Sequence, residues 1–319
     1  VRRYDAAAHT DGKEVRMRTR RRWLRVLLLA VALAVVAFGL YVYTRLEPRG
    51  SQRVVYTPAA RTCETAPEGF TFCVFRAAQG TDGRVVYHLH GRNLDATAWN
   101  DDTYYTSMIQ ARWAELGRTP PVVVGVSFGN LWLLAEKNPA PRSGLLEVFR
   151  DRVLPAVEAR IGPPRARVLL GESMGGINAL AAGLALPGTF TRVVSLCPTL
   201  FETSPFADDA AVEAALEATG ADPKRVLALR HIADEYFADE AAWRAFSPNE
   251  RVRPPASAPA NGPDFYVSVG LYDAYGSYAG ALAFVRDARS AGHRVTWRPL
   301  YGGHCAVDVD SVALALLGD

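Results

Sequence analysis

Two segments match Gly-x-Ser-x-Gly, a pattern in which a strained turn between strand and helix lifts a serine hydroxyl clear of a sheet. They are Gly125-Val126-Ser127-Phe128-Gly129 and Gly171-Glu172-Ser173-Met174-Gly175. Such a turn needs a strand before the serine, small residues around it, and a helix directly after whose N-terminus favours developing negative charge. Ser173 meets each need: Val168-Leu169-Leu170 precedes it, and Gly175-Gly176-Ile177-Asn178-Ala179-Leu180-Ala181-Ala182 follows as a small-residue helix. Ser127 also ends an apolar run, but Asn130-Leu131-Trp132 and then Pro139 make a poor helix, so it reads as a strand-end serine near the site.

A serine hydroxyl is a weak nucleophile without a base, and the base needs a carboxylate to orient it. After a nucleophile on this kind of turn, acid and base are expected later in the chain, in that order. Phe265–Gly270 reads as a strand running into Leu271-Tyr272-Asp273, and a helix and a strand later comes Tyr301-Gly302-Gly303-His304. Asp273 and His304 therefore fall past strand ends, at the sheet edge that carries Ser173. Asp308 and Asp234 are weaker candidates for the acid, and His9, His231 and His293 are poorly placed for the base. A tetrahedral intermediate also needs two preorganised N–H donors. One is expected from Met174, directly after the serine. The other is expected from His90-Gly91-Arg92-Asn93, with Arg92 N–H aimed by a sharp turn at Gly91.

The elements that must position these groups follow from hydrophobic patterning. Strands are expected at Arg53–Thr57, Thr71–Arg76, Val85–His90, Val122–Ser127, Arg167–Gly171, Arg192–Leu196, Phe265–Gly270 and Arg294–Arg298. Helices are expected at Ala96–Leu116, Leu145–Ile161, Gly175–Leu186, Tyr278–Ala291 and Val307–Leu317. Strands alternating with helices imply a mostly parallel sheet covered on both faces, here eight-stranded and α/β in class. The first two strands lack an intervening helix and should form an antiparallel edge. From 201 to 262 the alternation breaks into two short Ala-rich helical pieces and then a Pro-rich stretch, Pro248, Pro254, Pro255, Pro259 and Pro263. That segment reads as a cap inserted after the sixth strand.

Charge separates the two ends of the chain. Of 36 Lys and Arg and 33 Asp and Glu, residues 1–49 hold 11 basic and 4 acidic, leaving a mildly acidic remainder with no basic face for nucleic acid. Arg20, Arg21, Arg22 and Arg25 precede an uncharged run, Val26–Tyr43, that as a helix nearly covers a bilayer's hydrocarbon core. Tyr41 and Tyr43 suit the interface, and the arginines are expected to hold residues 1–25 in the cytoplasm. Residues 44–52 then form a linker, and 53–319 lie outside as the catalytic domain. Cleavage after Val35-x-Ala37 is the alternative and would release a secreted protein, although apolar residues continue past that point. A translation start at Met17 would leave residues 1–16 without function.

An extracytoplasmic position suits the four cysteines, Cys63, Cys73, Cys197 and Cys305, which allow three connectivities. Cys63 and Cys73 bracket the turn residues Ala66-Pro67-Glu68-Gly69. Cys197, past the sixth strand, and Cys305, after His304, fall on one edge of a parallel sheet, so a bond between them is geometrically reasonable; two buried thiols are the alternative. No Cys or His spacing suggests a metal, and no cofactor is called for.

The runs Val153-Leu154-Pro155-Ala156-Val157-Glu158-Ala159-Arg160 and Arg165-Ala166-Arg167-Val168-Leu169-Leu170-Gly171-Glu172-Ser173-Met174-Gly175-Gly176 resemble the putative-esterase family of α/β-hydrolases. That family includes esterase D, feruloyl esterases, enterochelin esterases and secreted mycolyltransferases. The resemblance implies an α/β-hydrolase fold and hydrolysis of carboxylic esters, or acyl transfer, by Ser173, Asp273 and His304. His304-Cys305 is also similar to tannase-type feruloyl esterases, in which that cysteine bonds one just before the serine; here Glu172 holds that place. The leading expectation is a membrane-anchored serine esterase acting on a small or polymeric ester. An acyltransferase to a sugar or lipid hydroxyl and a non-catalytic binding module are the alternatives.

Overall fold

A computed structural model describes residues 8–45, 54–253, 257, 259 and 261–319. The expected linker residues 46–52, Arg53, Pro254 and Pro255 lie outside the described residues. The chain divides into two units, Val1–Ser51 and Gln52–Asp319.

In the first unit, one helix, α1 (Ala8–Arg45), includes Arg20–Val42, a stretch long and apolar enough to cross a membrane. Its 23 residues correspond to about 35 Å of helix.

The second unit is built on eight strands: β1 (Ala60–Thr65), β2 (Thr71–Arg76), β3 (Arg84–Leu89), β4 (Val122–Ser127), β5 (Ala166–Glu172), β6 (Arg192–Leu196), β7 (Asp264–Gly270) and β8 (Val295–Leu300). They form one sheet in the order β1-β2-β4-β3-β5-β6-β7-β8. β2 runs antiparallel to both neighbours, and from β4 to β8 every pairing is parallel.

Side chains alternate between the sheet's two buried faces, as a period of two requires. Val85, Tyr87, Leu89, Leu169, Val193, Phe265 and Val267 enter one core, together with Ile177 and Leu180 of α5 (Met174–Ala185) and Phe284 of α10 (Ser277–Ser290). Val86, Val168, Leu170, Val194 and Tyr266 enter the other, against α2 (Tyr105–Glu115) and α11 (Val309–Leu317). The Trp113 indole N–H fastens those two helices by donating to the Ala313 carbonyl at 2.9 Å. The expected stretch 145–161 is a continuous helical run, α3 (Leu145–Val148), a π turn (Phe149–Val153) and α4 (Leu154–Ile161).

Three expectations need correction. The first strand is Ala60–Thr65, not Arg53–Thr57. Residues 54–57 carry no strand; Val54 N–H donates to Asp102 and the Tyr56 hydroxyl to the Asn100 carbonyl. The local turn decides the pairing, because Ala66 N–H bonds the Phe70 carbonyl across Gly69 (φ 85°) and sets Cys63 opposite Cys73. The helix expected over Ala96–Leu116 is a short 3-10 turn, Ala98–Asn100, followed by an α-helix only from Tyr105. Asp101 accepts hydrogen bonds from the Thr103 amide and hydroxyl, a side-chain turn that competes with helix.

The segment between β6 and β7 holds four helices rather than two: α6 (Asp209–Thr219), α7 (Pro223–Tyr236), α8 (Glu240–Phe246) and α9 (Pro248–Arg251). Asp208, Asp222 and Asp239 each cap one by accepting a backbone N–H. Pro223 and Pro248 occupy first turns, where a missing N–H costs nothing. A proline read as a helix breaker is here a helix starter.

Candidate active site

The strand order reverses at β3, which lies between β4 and β5, and such a switch point opens a crevice beyond the strands' carboxyl ends. Register sets Leu89 beside Gly171, so the chain leaving β3 passes directly alongside the turn after β5.

Ser173 occupies that turn at φ 55°, ψ −115°, a conformation that costs a non-glycine residue about 1–3 kcal/mol. Packing imposes it. Ser173 N–H donates to Leu196 O at 2.9 Å, while Ser173 O accepts from Gly176 and Ile177. A Cβ on Gly171 would lie 2.1 Å from Gly175 O, and one on Gly175 would lie 1.7 Å from Leu89 O. The glycines of the motif are thus demanded by close backbone approach.

The structure brings Ser173, His304 and Asp273 together. His304 Nδ1 lies 2.8 Å from Asp273 Oδ2, and Nε2 lies 2.8 Å from Ser173 Oγ. A carboxylate can only accept, so Nδ1 carries the proton and Nε2 presents its lone pair to the serine hydroxyl. Asp273 is buried, and its Oδ1 accepts from Tyr275 N–H at 2.8 Å, which fixes the carboxylate plane. Asp308 instead caps α11, and Asp234 lies within α7.

Two features hold the His304 loop that sequence reasoning reached only in part. Cys305 is bonded to Cys197 across 108 positions, and both residues have positive φ, 59° and 42°. Cys63 is bonded to Cys73. The two sulfurs nearest His304 are therefore locked in a disulfide, so their cluster with the imidazole offers no thiolate to a metal. The Tyr275 ring packs on the imidazole with centroids 4.5 Å apart, and the Arg225 guanidinium of α7 lies 5.0 Å from the Tyr275 ring centroid. Nothing in the sequence singled out Tyr275; its place two residues after the acid was the available signal.

Of the two expected oxyanion donors, Met174 opens α5, where an amide has no intrahelical partner. Arg92 and Met174 both line the cavity that reaches Ser173. The expected reason for the Arg92 turn needs correction: Gly91 is not in the left-handed region, and Asn93 supplies the positive φ (65°). Asn93 N–H is held by Asn130 O at 2.9 Å.

That cavity has a volume of about 240 Å³ and extends from Ser173 beneath the segment between β6 and β7. Its wall is apolar, with Leu133, Ile177, Leu216, Phe237 and Trp243 prominent. Arg230, also in the wall, spends its guanidinium on Asp209 and the carbonyls of Pro205 and Ala207. Arg92 and Glu202 are exposed.

Ser127 takes part in a different arrangement. Its Oγ lies 2.8 Å from His90 Nε2, and His90 Nδ1 donates to the Gly91 carbonyl at 2.8 Å. The Trp132 indole N–H also approaches Nε2, at 3.3 Å. Burial pushes the His90 pKa down, outweighing the Gly91 bond and Glu172, which act upward. His88 and His90 have separate environments: β3 ends at Leu89, and His88 bonds Glu172 at 2.8 Å. Burial pushes the Glu172 carboxyl up, but His88 and the donors from Gly91 and Tyr105 outweigh it and hold the group below its ordinary value.

Comparison with known proteins agrees with this architecture. No curated protein sequence matches the chain. An S-formylglutathione hydrolase from Agrobacterium tumefaciens superimposes with a TM-score of 0.56 at 17% identity, covering 84% of this chain and 96% of that one. Brefeldin A esterase, a bacterial homologue of human hormone-sensitive lipase, gives 0.54 at 20% identity over 90% of this chain and 81% of its own. A hyperthermophilic esterase from the archaeon Pyrobaculum calidifontis gives 0.56 at 16% identity over 83% and 86%. These likenesses establish the α/β-hydrolase fold. The profile of the family described as Putative esterase matches residues 67–271, more than half of the chain, and the protein belongs to that family of esterases.

Proposed function

We propose that this esterase is a membrane-tethered enzyme with an extracytoplasmic catalytic domain, residues 53–319, and that it cleaves carboxylic esters through an acyl-enzyme on Ser173. The relay carrying this reading is Asp273 to His304 to Ser173, two contacts of 2.8 Å ending at the mouth of an apolar cavity.

Ser173 Oγ attacks the ester carbonyl carbon while its proton passes to His304 Nε2, and Asp273 stabilises the imidazolium that results. The carbonyl oxygen becomes an oxyanion held by the amides of Met174 and Arg92. Collapse expels the alkoxide, which takes the proton from Nε2, and Ser173 is left acylated. Water then gives its proton to Nε2 and attacks the acyl carbon, releasing the acid and restoring Ser173. The apolar wall suits an apolar portion of the ester, since burying it displaces water at no cost in unpaired polar groups.

Anchoring is supported by the Arg20–Val42 stretch, and an outward catalytic domain by the four arginines at its N-terminal end and by two disulfides. A fluorophosphonate probe should mark the Ser173 peptide, and a slow ester should leave that peptide heavier by one acyl group. Carbonate-washed membranes should retain the protein, and external protease should remove its catalytic domain. Adding an alcohol acceptor should leave free acid as the main product. A dominant transfer product would replace hydrolysis with acyl transfer, and a soluble product starting near Phe38 would replace the anchor with a cleaved signal.

A further inference from the structure

We infer that Glu172 is a positioning residue that holds the Gly91–Arg92 turn against the serine turn and so keeps the two oxyanion donors in register. This rests on the reading above, in which the amides of Arg92 and Met174 receive the oxyanion.

Glu172 ends β5, directly before Ser173, and its side chain is fully buried. Its Oε1 accepts the Gly91 amide at 2.8 Å. Its Oε2 accepts from His88 Nε2 and from the Tyr105 hydroxyl, both at 2.8 Å. His88 comes from β3 and Tyr105 opens α2, so two separate elements grip one oxygen and remove the freedom of the other.

The location makes that grip consequential. Ladder pairing between β3 and β5 runs through Leu89 beside Gly171 and then stops. Beyond it, a side-chain carboxylate replaces the missing backbone bond, one residue short of the Arg92 amide on one chain and one residue short of Ser173 on the other. A Cβ on Gly91 would sit 3.6 Å from Glu172 Cγ and 3.7 Å from Ser173 Cβ, so the two segments lie in ordinary contact along this line. His88 and Tyr105 both donate to the carboxylate, which makes it a local anchor beside the serine turn. Its negative charge would oppose an oxyanion, so its contribution is geometric.

The test compares Glu172→Ala, Glu172→Gln and Tyr105→Phe with the parent full-length enzyme, counting active sites by the initial burst from a p-nitrophenyl ester. Glu172→Ala should lower kcat per active site by about 100-fold, the scale of losing one oxyanion donor, with KM changed less than threefold. Glu172→Gln keeps an oxygen for Gly91 and should recover most of that loss. Tyr105→Phe removes one of the two donors to Oε2 and should lower kcat several-fold. A trifluoromethyl ketone, which adds Ser173 to form an oxyanion, should bind Glu172→Ala about 100-fold more weakly, while the product acid binds as before. If Glu172→Ala does not fold, Tyr105→Phe decides: a several-fold loss of kcat per active site with weaker ketone binding supports the role, and parent values of both overturn it. Unchanged kcat per active site and unchanged ketone affinity would overturn the role for Glu172 while leaving Ser173 intact. Turnover that survives Ser173→Ala would overturn the underlying reading instead.

Discussion

Among the described residues, serine meets imidazole twice at the same distance, 2.8 Å, and each serine lies in a Gly-x-Ser-x-Gly segment. Ser173 has a strained backbone, a helix behind it, a cavity in front and a carboxylate on the far side of its histidine. Ser127 ends β4, and its histidine leans on a backbone carbonyl. A carbonyl can fix a tautomer but offers an imidazolium far less stabilisation than an ionised carboxylate does. The glycines also differ in purpose. A Cβ on Gly125 would lie 2.1 Å from Ala96 O, so that position is small to let an outside loop pass, whereas Gly171 and Gly175 are small to close the serine's own turn. Contact between serine and imidazole is therefore common to both regions; backbone, space and charge are what set Ser173 apart.

The sharpest way to break this comparison is to remove each hydroxyl. Ser173→Ala should lower ester turnover by about 10⁴-fold or more and abolish fluorophosphonate labelling. Ser127→Ala should keep turnover within threefold and instead lower unfolding free energy by about 1–3 kcal/mol, since buried Nε2 loses a donor. Denaturant titration beside ester assays separates the two, and a reversal of these results would exchange the roles of the serines. Next in size, Asp273→Asn should cost about 10⁴-fold in kcat with the fold intact, because an amide misdirects the imidazole; a loss below tenfold would make the carboxylate dispensable.

Opening the Cys197–Cys305 bond should have a mixed effect. Its closed span of 108 positions corresponds to about 4–5 kcal/mol of denatured-state entropy. Because the bond also pins the residue after His304, reductant should lower activity before far-UV circular dichroism changes. Equal loss of both would mean that the bond serves global stability alone.

The smallest effect expected concerns His90. Its folded pKa is depressed, so as pH falls below about 6.5 the unfolded chain takes up a proton that the folded chain refuses. Stability should decline from there until the depressed value is passed. His90→Gln should flatten part of that slope in chemical denaturation, with His293, also pushed down by burial, supplying the remainder. An unchanged slope would mean that the Ser127–His90 pair carries no such linkage.

Much of this was legible because it is local. β2 and β4 to β7 lie close to where β-branched runs placed them, and Ser173, Asp273 and His304 announced themselves by strand ends and glycines. What escaped is long-range. The partners of Glu172 come from positions 88, 91 and 105, so only the presence of a charge at the end of an apolar strand hinted at them. Val54 and Val55 looked like strand, yet the turn at Ala66–Phe70 fixed the hairpin further along. The helices between β6 and β7 were undercounted because the capping aspartates Asp208, Asp222 and Asp239 went unread and Pro248, read as a stop, starts a helix.

Strand β1 carries a consequence for handling the protein. It is exposed along its whole length and, among the described residues, pairs with β2 alone, which leaves an outer rim of backbone donors and acceptors to which a foreign strand could add. Arg61 and Glu64 discourage such addition, and the bond between the facing residues Cys63 and Cys73 clasps the hairpin shut. Material produced in a reducing host lacks the clasp, so aggregation there is expected to begin by edge-to-edge association at this hairpin, far from the chemistry, and production in an oxidising compartment is the remedy.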